Sequence, residues 1–176
     1  GAQYVHTFDK CLFMPSDLTA GLEYNRDRLK DNMWGYDRHT DQTVNIYSAF
    51  LQNEWKNERW SILVGGRRDK DNMLDNIIFS PRANLRFNPT QNINLRLSYS
   101  SGFRAPQAFD EDMHIENVGG TVAMIERAKN LKEEKSQSFS ASADIYHRFG
   151  AFQTNFLIEG FYTKLTDVFV LGEPYN

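Results

Sequence analysis

The sequence predicts an all-β protein, an antiparallel up-and-down transmembrane β-barrel segment of about eight strands. Three observations carry the antiparallel meander; alternation alone suits a soluble half-buried sheet and a membrane wall equally, and the resemblance given below decides for the membrane. Apolar and polar residues alternate strictly over 93–100, with Ile93, Leu95, Leu97 and Tyr99 on one face and Asn94, Arg96, Ser98 and Ser100 on the other. A face bearing Arg and Asn must meet water, and the opposite face must meet something apolar. No window approaches the roughly 18 consecutive apolar residues that a spanning helix needs. Barrels escape that test, because a polar residue dilutes every second position. The connections also alternate in length, and every long one falls on the same side of the sheet, which suits a meander and not Greek-key crossings.

Strands are expected near 2–13, 18–29, 42–55, 60–70, 76–87, 92–103, 136–147 and 152–167. Short turns are read at Pro15-Ser16-Asp17, Lys56-Asn57-Glu58-Arg59, Asn88-Pro89-Thr90-Gln91 and Arg148-Phe149-Gly150-Ala151. The longer connections are Lys30 to Asp41, Asp71 to Asp75 and Arg104 to Lys135. Leu18, Ala20, Leu22 and Tyr24 oppose Thr19, Gly21, Glu23 and Asn25, and Ala83, Leu85 and Phe87 oppose Arg82, Asn84 and Arg86. Phe139, Ala141, Ala143 and Ile145 likewise oppose Ser138, Ser140, Ser142 and Asp144. Two strands break the pattern. In 42–55 Val44, Ile46 and Phe50 fall out of phase with Tyr47, Ala49, Leu51 and Trp55, and in 152–167 Leu157 and Phe161 oppose Phe156, Ile158 and Tyr162. Such strands either touch something inside the barrel or mark a slip of register. Trp55 and Trp60 flank a short turn, where indoles suit the headgroup level of one rim.

Arg82, Arg86 and Arg96 are expected on one wall of the lumen, with Glu23, Asp69 and Asp144 elsewhere on it, a mixed-charge interior that only a wide or plugged barrel accommodates. Catalysis is poorly supported, and no enzyme is expected. Asp110, Glu111, Asp112, His114 and Glu116 cluster in a loop without the fixed geometry that general acids and bases need. They read first as a solvated charged face, and second as oxygen ligands for a hard cation. Gly119-Gly120 suggests a tight turn, and 121–129 a helical turn or two. A loop as long as 104–135 is normally functional, so Arg104, Asp110, Glu111, Asp112, His114 and Glu116 are the candidate ligand contacts. The chain has 176 residues, a net charge of −3, a single cysteine, Cys11, and a mean hydropathy of −0.60. One cysteine forms no internal disulfide. The lack of a basic stripe argues against nucleic acid as a partner. The chain opens at Gly1 with neither an initiator Met nor a signal peptide, and is expected to be mature or cut from something larger.

The run Ser98-Tyr99-Ser100-Ser101-Gly102-Phe103-Arg104-Ala105-Pro106, followed after a polar excursion by Asn130-Leu131-Lys132-Glu133-Glu134-Lys135-Ser136, resembles boxes that bracket a long extracellular loop in TonB-dependent outer-membrane receptors. Ala20 to Asn25, Tyr47 to Trp55, Gly66 to Asp69, Ser80 to Leu85 and Phe161 to Asp167 match the same family in order and spacing. The resemblance implies a 22-stranded barrel in a Gram-negative outer membrane, filled by an N-terminal plug and energised by the periplasmic TonB protein. Residues 1–176 are then a partial barrel domain lacking its plug, whose partners are TonB acting through that plug, the plug itself, outer-membrane lipid and a small-molecule nutrient. The cargo classes implied are iron–siderophore complexes, haem and cobalamin, with no resident cofactor. By resemblance to haem receptors, His114 is a candidate axial ligand and Met113 and Ile115 apolar contacts. A soluble antiparallel β-sheet domain that binds a carbohydrate or protein is the alternative, and a small closed eight-strand barrel a third reading.

Overall fold

A computed structural model describes residues 1–36, 38–106, 116–118, 121–123 and 132–170. Eight strands form one antiparallel sheet: β1 (Ala2–Cys11), β2 (Met14–Met33), β3 (Arg38–Lys56), β4 (Trp60–Asp71), β5 (Ile78–Thr90), β6 (Ile93–Arg104), β9 (Glu134–Phe149) and β10 (Phe152–Thr166). A separate two-stranded ribbon, β7 (Glu116–Val118) and β8 (Thr121–Ala123), lies between β6 and β9 in sequence. The sheet order is β1-β2-β3-β4-β5-β6-β9-β10, an uninterrupted meander whose edges are β1 and β10.

Two proline positions correct the expected turns. The first reversal falls at Leu12 and Phe13, with Leu12 in the left-handed region (φ 64°), and Pro15, Ser16 and Asp17 already belong to β2. Pairing there steps from Phe8↔Ser16 to Cys11↔Met14, which leaves Pro15 out of the ladder. Pro89 behaves alike: it belongs to β5, within the irregularity between Phe87 and Thr90, and the chain reverses two steps later. A residue without an amide hydrogen is tolerated where a bulge leaves its position unpaired. The expected 121–129 helix is also corrected, because Thr121–Ala123 is a strand; 124–129 lies outside the described residues.

The connection expected over 30–41 is instead a tall hairpin arm. β2 and β3 pair without a break from Ser16↔Trp55 to Met33↔Arg38. A tilted membrane strand needs about 9–11 residues, so this 20-residue strand projects well beyond the apolar zone. Arg28 donates to Asp41 through Nε (3.1 Å) and Nη2 (2.7 Å), and His39 Nδ1 lies 3.1 Å from Asn32 Oδ1. The Arg28 bonds hold the Asp41 carboxyl below the usual carboxylate range. A carboxylate depressed in the folded arm stabilises it above its unfolded pKa, and that contribution is lost as pH falls through the folded value. Amide exchange in the arm, corrected for intrinsic rates, is therefore expected to rise below about pH 4. Asp41→Asn should abolish that rise; an identical rise in the variant refutes the assignment.

Side chains alternate across the sheet, so the pairings assign each residue to a face. One row reads Phe8, Ser16, Trp55, Ile62, Leu85, Leu97, Ala141 and Gly160, and the next on that face reads His6, Leu18, Asn53, Val64, Ala83, Tyr99, Phe139 and Tyr162. The opposite face carries Thr7, Asp17, Glu54, Leu63, Asn84, Ser98, Ser140 and Phe161. Burial is inverted relative to a protein with a dry core. Leu22 is 65% exposed and Leu97 55%, whereas Asp69 is 3% and Ser48 5% exposed. Covering one such leucine is worth about 1.5–3 kcal/mol, so the apolar face requires an apolar cover along its whole width. Register is continuous along β2–β3 and β9–β10, so Val44, Ile46, Phe50, Leu157 and Phe161 do sit on the polar face, with no slip.

Aromatic pairs border the apolar face. Trp60 stacks on Phe87 (centroids 4.1 Å) and Trp55 on Phe13 (5.7 Å) near the short turns. Tyr24 pairs with Tyr47 (4.9 Å) and Tyr99 with Phe139 (4.8 Å) toward the other end. Amphipathic rings at both limits of an apolar band suit the two interfaces of a bilayer.

Candidate functional site

The polar face is organised around Arg67. The pairings Glu23↔Ser48↔Asp69 place three acceptors in one row across β2, β3 and β4, and Arg67 lies two residues before Asp69 on the same face. Its Nη1 donates to Glu23 Oε2, its Nε to Asp69 Oδ1 and its Nη2 to Ser48 Oγ, each at 2.7 Å, and Ser48 Oγ donates in turn to Asp69 Oδ1. A planar guanidinium shared among acceptors on three strands fixes the mutual register of β2, β3 and β4.

Arg82, Arg86 and Arg96 stand on this same face, on β5 and β6. Arg86 and Arg96 are direct cross-strand partners, and like charges so opposed are destabilising. Arg96 donates through Nε to Asn94 Oδ1 (2.7 Å), while the buried Nε of Arg86 meets no acceptor. No carboxylate forms an ion pair with any of the three among the described residues. Asp144 is occupied by the Tyr146 hydroxyl and the Asn155 amide instead. The result is one fully paired cluster at Arg67, where two carboxylates share one guanidinium, and one cationic strip without ion pairs at 82, 86 and 96.

At the long-connection end the Arg104 guanidinium carbon lies 5.7 Å from the Phe169 ring centroid, and the Phe169 amide donates to Glu134 Oε2 at 3.3 Å. These contacts tie the chain after β10 to the two strands that bound the long loop. Leu74, Ile78 and Ala105 form a small buried cluster beside them, with Phe103 packed against it. Of the other candidate ligand contacts, Asp110, Glu111, Asp112 and His114 lie outside the described residues. Glu116 is placed only by its backbone, at the start of β7 opposite Ala123. No group of three or more metal-ligating side chains occurs among the described residues.

An open meander with an apolar outer face, a charged inner face and long connections at one end narrows the fold to a wide barrel wall. The family model for the β-barrel of TonB-dependent receptor-like proteins matches residues 2–176. The chain belongs to that family. The siderophore receptor PirA from Pseudomonas aeruginosa superposes with a TM-score of 0.69 at 14% identity, over 88% of this chain and 30% of that one. PirA from Acinetobacter baumannii gives 0.60 at 15% identity, over 93% of this chain and 33% of that one. Likeness at that identity is a likeness of fold, and the chain spans about a third of each receptor. No curated protein matches it.

Within this TonB-dependent receptor barrel, sequence reasoning overlooked Arg67. Glu23 and Arg67 are 44 positions apart, so only the register unites them. The signal available was Arg67-Arg68-Asp69, where alternation puts Arg67 with Asp69 and sends Arg68 to the apolar face.

Proposed function

We propose that this chain is part of the barrel of an outer-membrane, TonB-dependent importer of a scarce nutrient, with an iron–siderophore complex as the leading cargo. The inverted burial carries the reading: large apolar side chains such as Leu22 and Leu97 are exposed on one face of the sheet while Asp69 and Ser48 are buried on the other, which suits a transport barrel and not a soluble domain with a dry core. Family membership supports the receptor role, and the two PirA neighbours, named as siderophore receptors, favour that cargo class. In this reading residues 1–176 are a partial barrel domain, further strands close the wall, and a plug coupled to TonB occupies the lumen. The chemistry is binding and passage, with no bond made or broken. The 104–135 loop roofs the extracellular mouth, where Arg104, Asp110, Glu111, Asp112, His114 and Glu116 contact cargo. The strip Arg82, Arg86 and Arg96 supplies uncompensated positive charge to whatever anionic group fills or passes the lumen.

The test is uptake of labelled ferric siderophore, haem and cobalamin by starved cells carrying the complete receptor gene or its deletion, with and without TonB. Loss of one cargo on deletion, dependent on TonB, is the expected result. Undiminished uptake of all three overturns the proposal.

A further inference from the structure

On the apolar face, several strands change from hydrophobic to cationic at the same end of the sheet. β4 presents Trp60, Ile62, Val64 and Gly66 and then Arg68 and Lys70; β2 presents Leu18, Ala20, Leu22 and Tyr24 and then Arg26; β10 presents Ile158, Gly160 and Tyr162 and then Lys164. All three changes fall at the long-connection end, beside or beyond the Tyr24–Tyr47 and Tyr99–Phe139 pairs. Not every cation there is free: Arg28 is bound by Asp41 and Lys135 by Glu133. Arg26, Arg68 and Lys164 are exposed and have no ion pair among the described residues.

One place combines these cations with a cavity. A shallow groove of about 530 Å³ has Leu22, Tyr24, Tyr47, Ala49, Arg68 and Lys70 in its lining, and the one acidic residue there, Glu23, has its carboxylate bound by Arg67 on the opposite face. The pairings put Arg68 in one row with Leu22 and Ala49, and Lys70 in the next with Tyr24 and Tyr47, so both cations rise from the apolar face itself. Lys70 Nζ is held at 2.7 Å by the Leu74 and Asp75 carbonyls. That spends two of its three donors and leaves one for a ligand. A fixed ammonium and an unpaired guanidinium above an apolar trough complement a ligand with an anionic head and a hydrocarbon tail.

The geometry points to a specific lipid site: the groove at Arg68 and Lys70 binds the phosphate headgroup of a lipid in the leaflet at the long-connection end, with an acyl chain lying along Leu22, Tyr47 and Ala49. The site rests on the barrel lying in a membrane, as proposed above, but requires no particular cargo. It would clamp the tall β2–β3 arm at its base to the leaflet through which it emerges.

The test is native mass spectrometry of the complete receptor in detergent, titrated with dioleoyl phosphatidic acid and, in parallel, with dioleoylglycerol, which lacks the phosphate. Wild-type receptor is expected to retain the phosphate lipid selectively. Arg68→Gln should weaken that retention about tenfold, the effect of losing a charge-assisted hydrogen bond. Arg59→Gln, in the short turn at the other rim, should retain the lipid as wild type does. Inorganic phosphate alone, lacking the tail, should not displace the lipid at equal concentration. Equal retention of both lipids, equal loss in both variants, or displacement by inorganic phosphate each overturns the site. Import measured on the same receptors separates the two proposals: selective lipid binding without import removes the transport reading alone, and import without lipid selectivity removes the lipid site alone.

Discussion

Leu97→Arg is expected to destabilise the barrel by about 2–4 kcal/mol, the cost of a guanidinium on the lipid face near the bilayer midplane. Leu97 has Leu85 and Ala141 as its cross-strand partners, and along β6 it lies between Ile93 and the Tyr99–Phe139 pair, within the apolar band. It is 55% exposed with no protein over it, so lipid is the medium that a charge there would displace. The adjacent change, Arg96→Leu, removes a side chain from the opposite, wet face and should cost well under about 1 kcal/mol. It also removes one of two directly opposed positive charges. The measurement is the thermal midpoint of heat-modifiable migration for both variants of the complete receptor. Comparable losses from the two substitutions would reverse or erase the assignment of faces.

Much of this fold is legible in the sequence because a single environment acts on each face. Where a strand meets lipid on one side and the lumen on the other, as at Leu85 against Arg86 or Ala141 against Ser142, the period of two fixes both the strand and its orientation. The failures occur where that contrast vanishes. In the projecting arm, Lys30, Asp31 and Asn32 are polar on both faces, so no hydrophobic signal marks them as strand. They are held by cross-strand partners, Arg28 with Asp41 and Asn32 with His39, that local pattern does not encode. Pro15 and Pro89 suggest turns for the reason that usually makes proline a turn residue; here each coincides with an irregularity of the ladder, two steps from the reversal.

The candidate site divides in the same way. Arg82, Arg86 and Arg96 are assigned to one face by alternation alone, since each lies within a strand of clear period. The Arg67 cluster needs the register of three strands, and register is set by turns and bulges whose positions were displaced at the first hairpin. Val44 and Ile46 violate the alternation for a further non-local reason. β4 ends at Asp71, and Asn72 then takes over pairing with β3: its amide donates to the Asn45 carbonyl at 3.1 Å, its side-chain Nδ2 to the Thr43 carbonyl at 2.9 Å, and its Oδ1 accepts from the Asn45 amide at 2.7 Å. Val44 is 5% exposed beside these bonds, and the connection that follows carries Leu74 and Ile78 into a separate buried cluster with Ala105.

Gly65→Val is expected to cost about 1–3 kcal/mol by overpacking, and the cause is the closeness of two backbones. Gly65 on β4 is the direct partner of Gln52 on β3, and a Cβ added there would lie 2.6 Å from Gln52 Cβ and 2.9 Å from the Leu51 carbonyl oxygen. Neither atom is the far end of a flexible side chain, so relief requires β3 and β4 to move apart. Those strands cannot separate freely, because one row above Gly65 the Arg67 guanidinium binds acceptors on β2, β3 and β4 together. Strain at Gly65 is thus set against the cluster that fixes register, and the expected response includes loosening of Arg67 from Ser48 and Glu23. Gly102→Val on β6, an interior strand of the sheet, is the matched control: a Cβ there meets only Ser136 Oγ, at 3.1 Å, which rotation of that side chain relieves. A β-branched side chain at that position should be neutral or slightly stabilising. Thermal midpoints of the two variants of the complete barrel decide between a local steric cause and a general intolerance of bulk in the wall. Equal destabilisation at both glycines eliminates the close-approach explanation, whereas a loss confined to Gly65, partly relieved by Gln52→Gly, establishes it.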